Sequence, residues 1–155
     1  MKSKIMISIS RRTDELVVLI AEDDEDDFSF LEEAVKECNK ATDVRWVKDG
    51  EEALDYIFRR DGYADPESSP RPDLIFLDIC MPKKSGLDIV PEIKDHPDVK
   101  RVPVVMVTTS GHYTDVNEAY EKGVNSYIKK PVGISQMDEF KKLICSYWSP
   151  LCLIP

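Results

Sequence analysis

Leu74-Ile75-Phe76-Leu77-Asp78-Ile79-Cys80-Met81-Pro82 is an apolar run of strand length that ends on a carboxylate and breaks at a Met-Pro turn signal. A continuous rather than alternating run marks a strand covered on both faces. Three other stretches are built the same way. Residues 16–21 lead into Glu22-Asp23-Asp24, residues 104–107 into Thr108-Thr109, and residues 126–129 into Lys130-Pro131. Strands of a parallel sheet share one direction, so their C-terminal ends meet on one edge, where open α/β sheets bind ligands. A hydroxyl, an ammonium and several carboxylates gathered there point to divalent-metal and phosphate chemistry.

The segments between these strands carry helical signals. Asp24 to Asp27 supply a cap and first-turn negative charge, and Phe28, Leu31, Val35 and Cys38 follow as one apolar stripe. A short strand over residues 44–47 precedes Asp49-Gly50-Glu51-Glu52, a capping box for a helix burying Ala53, Leu54, Ile57 and Phe58. Residues 61–72 contain Pro66, Pro70 and Pro72 and read as a long loop. Ser85, with Asp88 three residues on, opens the next helix, which Pro91 should kink or shorten and His96-Pro97 should end. The fourth strand is expected over residues 102–107, then a helix over residues 114–122 stopped by Gly123, and a fifth strand ending at Lys129. Ser135, with Asp138 as box partner, is expected to cap a last helix burying Phe140, Leu143, Ile144 and Tyr147. Strands alternating with helices imply right-handed crossovers, hence an α/β doubly wound five-stranded parallel sheet with helices on both faces. The division expected is a leader over 1–14, one domain over 15–148 and a tail over 149–155.

Gross composition narrows the function. A chain of 155 residues, 42% hydrophobic and 33% charged, suits one soluble domain with a proper core. Its net charge of −9 opposes nucleic-acid binding, which needs basic surface, and opposes a polybasic membrane contact. No apolar run reaches the roughly 20 residues of a membrane span, and residues 1–12 make a poor signal peptide. Cys38, Cys80, Cys145 and Cys152 are scattered without ligand spacing, which reads as reduced thiols, mostly packed, in a cytoplasmic protein.

Taken singly, the candidate residues stay ambiguous. Glu22, Asp23 and Asp78 at neighbouring strand ends repel unless a cation joins them, so at least one pKa should rise; Mg²⁺ would remove the conflict. The alternative is a solvated acidic loop capping a helix, the role assigned to Asp24, Asp26 and Asp27. Asp78 admits a strand terminator or a nucleophile. Thr108 admits a loop hydroxyl satisfying backbone, and Lys130 a surface cation.

Together, in this order, they resemble the receiver domain of two-component response regulators. Glu22-Asp23 matches the family's acidic pair, Asp78 its phosphoacceptor within an Asp-x-x-Met-Pro-x-x-x-Gly string ending at Gly86, Thr108 its switch hydroxyl, and Lys130-Pro131 its lysine and following proline. The resemblance implies a flavodoxin-like strand order 2-1-3-4-5. It implies that Glu22, Asp23, Asp78 and the backbone carbonyl of Cys80 hold Mg²⁺, with Glu22 acting through a metal-bound water. Asp78 would take a phosphoryl group from a sensor histidine kinase or a histidine phosphotransfer protein, and Lys130 would compensate charge. Thr108 would bond the phosphoryl oxygen while Tyr127, at the aromatic switch position, turns inward. A cis peptide before Pro131 is also implied.

The 61–72 segment and the run Glu22 to Phe28 are similar to stand-alone receivers of the cyanobacterial phytochrome response regulator type. In that group the region of the last strand and helix serves dimerisation. The apolar tail residues Trp148, Leu151, Leu153 and Ile154 then have two expected fates, a homodimer contact or a fold-back onto their own domain. Nothing after residue 148 is long enough for a DNA-binding output, so the signal is expected to pass to an unknown downstream protein. A dehalogenase-type phosphatase would want an acid at position 80, which is Cys. The remaining rival is a degenerate receiver acting as a constitutive interaction module.

Overall fold

The computed structural model describes residues 16–39 and 41–147. Strands β1 (Val17–Ala21), β2 (Asp43–Val47), β3 (Leu74–Leu77), β4 (Val104–Thr108) and β5 (Ser126–Lys129) alternate with helices α1 (Glu25–Cys38), α2 (Gly50–Phe58), α3 (Gly86–Asp95), α4 (Tyr113–Lys122) and α5 (Ile134–Tyr147). All strand pairs are parallel, in the order β2-β1-β3-β4-β5. This is the doubly wound sheet the alternation predicts.

The two-residue period of the strands sorts the core into two layers. Leu19, Ala21, Ile75, Leu77, Val104 and Met106 face α2, α3 and α4, where they meet Ala53, Ile57, Ile89, Ile93 and Ala119. Val18, Ile20, Leu74, Phe76, Val105, Val107 and Ile128 face α1 and α5, where they meet Phe28, Leu31, Val35, Phe140 and Ile144. Each central strand is therefore apolar on both sides, and a continuous run is its only mark in the chain.

Caps set most helix starts. Asp24, Asp49 and Ser85 each accept a hydrogen bond from the backbone N–H three residues on. Gly123, at φ 106°, ends α4 in the left-handed conformation that glycine adopts without penalty.

Several expectations are corrected. Pro91 does not shorten α3, because Ile89, Val90 and Ile93 on both sides of it are fully buried and packing holds both halves in one helix. The fourth strand begins at Val104 rather than Val102, since Pro103 has no N–H for the ladder. Ser135 lies inside α5 instead of capping it; the preceding Val132 N–H is satisfied by the Gln136 side chain at 3.1 Å. Leu143 is 44% exposed rather than buried. Cys38 and Cys145 are joined in a disulfide and Cys80 is exposed, in place of packed reduced thiols. The topology lays α1 beside α5 on one face of the sheet and brings these two Cα atoms to 5.1 Å. Cys152, the leader, the tail and the Tyr147 side chain lie outside the described residues.

Candidate functional site

The C-terminal ends of β1, β3, β4 and β5 converge as predicted. Glu22 and Asp23 follow β1, Asp78 follows β3, Thr108 closes β4 and Lys130 follows β5. Parallel registry aligns them: Ala21 pairs with Leu77, Leu77 with Met106, and Thr108 with Lys129. The Asp78 N–H donates to the Ala21 carbonyl at 3.0 Å, and the Lys130 N–H to the Thr108 carbonyl at 2.7 Å. The two halves of the site are thus pinned by the ladder itself.

The Lys130 ammonium sits at the centre, 2.6 Å from Glu22 Oε2, 2.8 Å from Asp78 Oδ2 and 2.8 Å from Asp27 Oδ2. Glu22 and Asp78 are buried, while Asp23 is exposed and opens the mouth of the cluster to solvent. Carboxylate oxygens of Glu22, Asp23 and Asp78 lie within 4.8 Å of one another, close enough to hold one ion. An all-oxygen, acidic donor set fits a hard divalent cation. The expected rise is present, with burial rather than repulsion as its main cause: burial raises the Glu22 carboxyl to about 7, the Lys130 hydrogen bond opposes this, and the neighbouring Asp78 charge adds to it. Burial pulls the Lys130 ammonium down, but its hydrogen bonds to Asp27, Asp78 and Glu22 more than offset that and hold it above lysine's ordinary value.

Backbone shapes the rest of the cavity. The Cys80 N–H donates to Asp78 Oδ1 at 3.2 Å, so the turn after β3 wraps around the acid. Gly86 is required there, since a Cβ would lie 2.1 Å from the Asp78 carbonyl oxygen. Thr108 is fully buried, and its hydroxyl accepts a long 3.5 Å contact from the Ser110 N–H. Tyr127 is half-buried against the core, and its hydroxyl donates to the Ser110 carbonyl at 2.8 Å on the same loop. Glu22, Asp23, Asp78 and Lys130 are therefore together, while Thr108 stands at the neighbouring strand end and Tyr127 is linked to the loop that follows it. The Lys130–Pro131 peptide is trans, as is every described peptide bond, against the cis form the resemblance implied. Trans is the lower-energy isomer before proline, by about 0.5–1 kcal/mol.

Two participants escaped the sequence reading. Asp27, assigned only to capping, is a direct partner of Lys130. It stands in the first turn of α1, where an acid reads equally well as a complement to the helix dipole. Trp46 donates its indole N–H to the Glu22 carbonyl at 2.8 Å and stacks on Phe28 with centroids 4.2 Å apart. The second strand's pairing with β1 is what brings it there.

This fold and the carboxylate–lysine cluster at its ligand edge fit divalent-metal and phosphate chemistry. Residues 18–141 match the family model of the response regulator receiver domain, and the chain belongs to that family. It is 35% identical to the response regulator Rcp1 of Synechocystis over 90% of this chain and 92% of that protein. It is 30% identical to a probable methanogenesis regulatory protein, FilR2, of Methanothrix harundinacea over 87% of this chain and 84% of that protein. Among solved structures, the phosphorylated cyanobacterial phytochrome response regulator RcpA superposes with a TM-score of 0.83 at 35% identity, covering 91% of this chain and 99% of that one. The Mn²⁺-bound form of Rcp1 superposes with a TM-score of 0.77 at 35% identity, covering 90% and 99%. The chain is thus a response regulator of two-component signalling, similar to the stand-alone phytochrome regulators, and its family is not one of turnover enzymes. Among the described residues, no helix is long and apolar enough to cross a membrane.

Proposed function

We propose that Asp78 is the phosphoacceptor and that this chain promotes its own phosphorylation from a phosphohistidine on a sensor kinase or phosphotransfer protein. The observation that carries this reading is the Asp78 carboxylate held 2.8 Å from Lys130 within a three-acid cluster at the ligand edge of the sheet. An Asp78 carboxylate oxygen forms a bond to phosphorus, the phosphorus–nitrogen bond of the donor breaks, and its electron pair returns to the imidazole. Such transfer needs positioning and charge neutralisation more than covalent help from the protein.

Asp23, Asp78 and the Cys80 carbonyl are the groups that would hold Mg²⁺, with Glu22 beyond them through a water. Bound Mg²⁺ supplies positive charge that offsets both the carboxylates and the incoming phosphoryl oxygens. Lys130 neutralises the product and orients Asp78. The Thr108 hydroxyl donates to a phosphoryl oxygen, and Tyr127 follows through the Ser110 carbonyl it already holds. The surface read by a downstream protein is then α4, β5 and α5. A receiver spanning 15–148, in the cytoplasm, with a second copy or another protein on that face, completes the reading. Exposed Val132 and Ile134, 81% and 84% accessible, support a contact there.

Incubation with acetyl phosphate and Mg²⁺ should add one phosphoryl group to the intact mass, and Asp78→Asn should abolish that addition. Undiminished labelling of the variant refutes the assignment.

A further inference from the structure

Resting on the phosphoacceptor role of Asp78, we infer that Asp27 is a positioning residue that holds Lys130 in the unphosphorylated form and must release it when a phosphoryl group arrives. An ammonium has three N–H donors and no acceptor. In this structure three carboxylates surround it: Glu22 at 2.6 Å, Asp27 at 2.8 Å and Asp78 at 2.8 Å. No donor is left over for a phosphoryl oxygen. Phosphorylation turns the Asp78 carboxylate into an acyl phosphate, so that contact passes to a phosphoryl oxygen. The added negative charge draws the ammonium further toward the phosphoryl group and away from one of its other two carboxylates.

Exposure decides which one. The Glu22 and Asp78 side chains are 4% and 6% exposed, whereas Asp27 is 44% exposed. Leaving Glu22 without Lys130 strands a desolvated carboxyl group, which is costly. Water replaces Lys130 at Asp27 at little cost. Asp27 is also anchored independently of Lys130, because its N–H is held by the Asp24 side chain at 2.9 Å in the first turn of α1. It therefore stays in place when the lysine swings away. Its contact favours the unphosphorylated state alone, and its charge repels the phosphoryl group.

Beryllofluoride with Mg²⁺ serves as the phosphoryl mimic, and its affinity for the full chain is measured in wild type, Asp27→Asn and Asp26→Asn. Asp26 is a first-turn acid that makes no ion pair with Lys130, so it controls for charge alone. Asp27→Asn should bind beryllofluoride about three- to fivefold tighter at low ionic strength, with the gain shrinking as salt screens the exposed charge. Asp26→Asn should match wild type. Unchanged or weaker binding by Asp27→Asn overturns the inference, as does an equal gain in Asp26→Asn. If wild type itself ignores beryllofluoride, the phosphoacceptor reading falls and takes this inference with it. Wild-type binding without the Asp27→Asn gain overturns the inference alone.

Discussion

Glu22 is 3% exposed beside Asp78 and Lys130, and burial moves its carboxyl from an ordinary 4.5 to about 7. A group with a higher pKa folded than unfolded makes the native state hold more protons than the unfolded chain between those two values. Its stabilising contribution is full below about 4.5 and is lost as pH rises through about 7. The size is about 3 kcal/mol. Without divalent metal, the urea midpoint of wild type should therefore decline across this window relative to Glu22→Gln, whose amide does not titrate. Parallel profiles for the two proteins would show that Glu22 is not shifted. Metal displaces the proton, so Mg²⁺ affinity should climb with pH up to about 7 and then level. At this scale the chain was largely readable, because Glu22, Asp23, Asp78 and Lys130 each follow a strand and Thr108 closes one. Asp27 was not, since a first-turn acid that complements the helix dipole and one that also grips a distant lysine leave the same mark in a sequence.

Helix-level signals were readable where they were local. Asp24, Asp49, Ser85 and Gly123 act through partners a few residues away, and all four stand where expected. Pro91 and Ser135 misled for the converse reason: burial of Ile89, Val90 and Ile93 overrides the proline, and α5 starts one residue before the serine. The Cys38–Cys145 disulfide spans 107 residues, so no local spacing announces it. Placing the first and last helices on one face of a doubly wound sheet would have suggested it. A crosslink of that span constrains the unfolded chain by about 4–5 kcal/mol in the loop-entropy model. Reduction with dithiothreitol, or Cys38→Ser, should lower the urea midpoint accordingly, while Cys80→Ser, at the exposed free thiol, should not. Equal midpoints for oxidised and reduced protein would show that the bridge does not staple α1 to α5.

On the scale of the whole molecule, two apolar layers hold five parallel strands so that side chains from three distant stretches, at residues 22–27, 78 and 130, share one small volume. The parallel sheet was legible from continuous apolar runs. The order in which the strands lie belongs to no single segment, and it came only through resemblance to the receiver family. The cost of the arrangement is electrostatic, in a chain already carrying −9, with Glu22, Asp23 and Asp78 crowded together and a single lysine serving Glu22, Asp78 and Asp27. A cation that binds this cluster in the native state and nowhere in the unfolded chain stabilises the fold by mass action, about 2.7 kcal/mol at a hundred times its Kd. Saturating Mg²⁺ should thus raise the melting temperature of wild type, and EDTA should reverse it. Asp23→Asn is the informative variant, because Asp23 is exposed and its replacement should cost little stability by itself. That variant should melt near metal-free wild type and gain almost nothing from Mg²⁺. A full Mg²⁺-dependent rise in Asp23→Asn would mean that the cation binds elsewhere and that the cluster at the strand ends is held together by Lys130 alone.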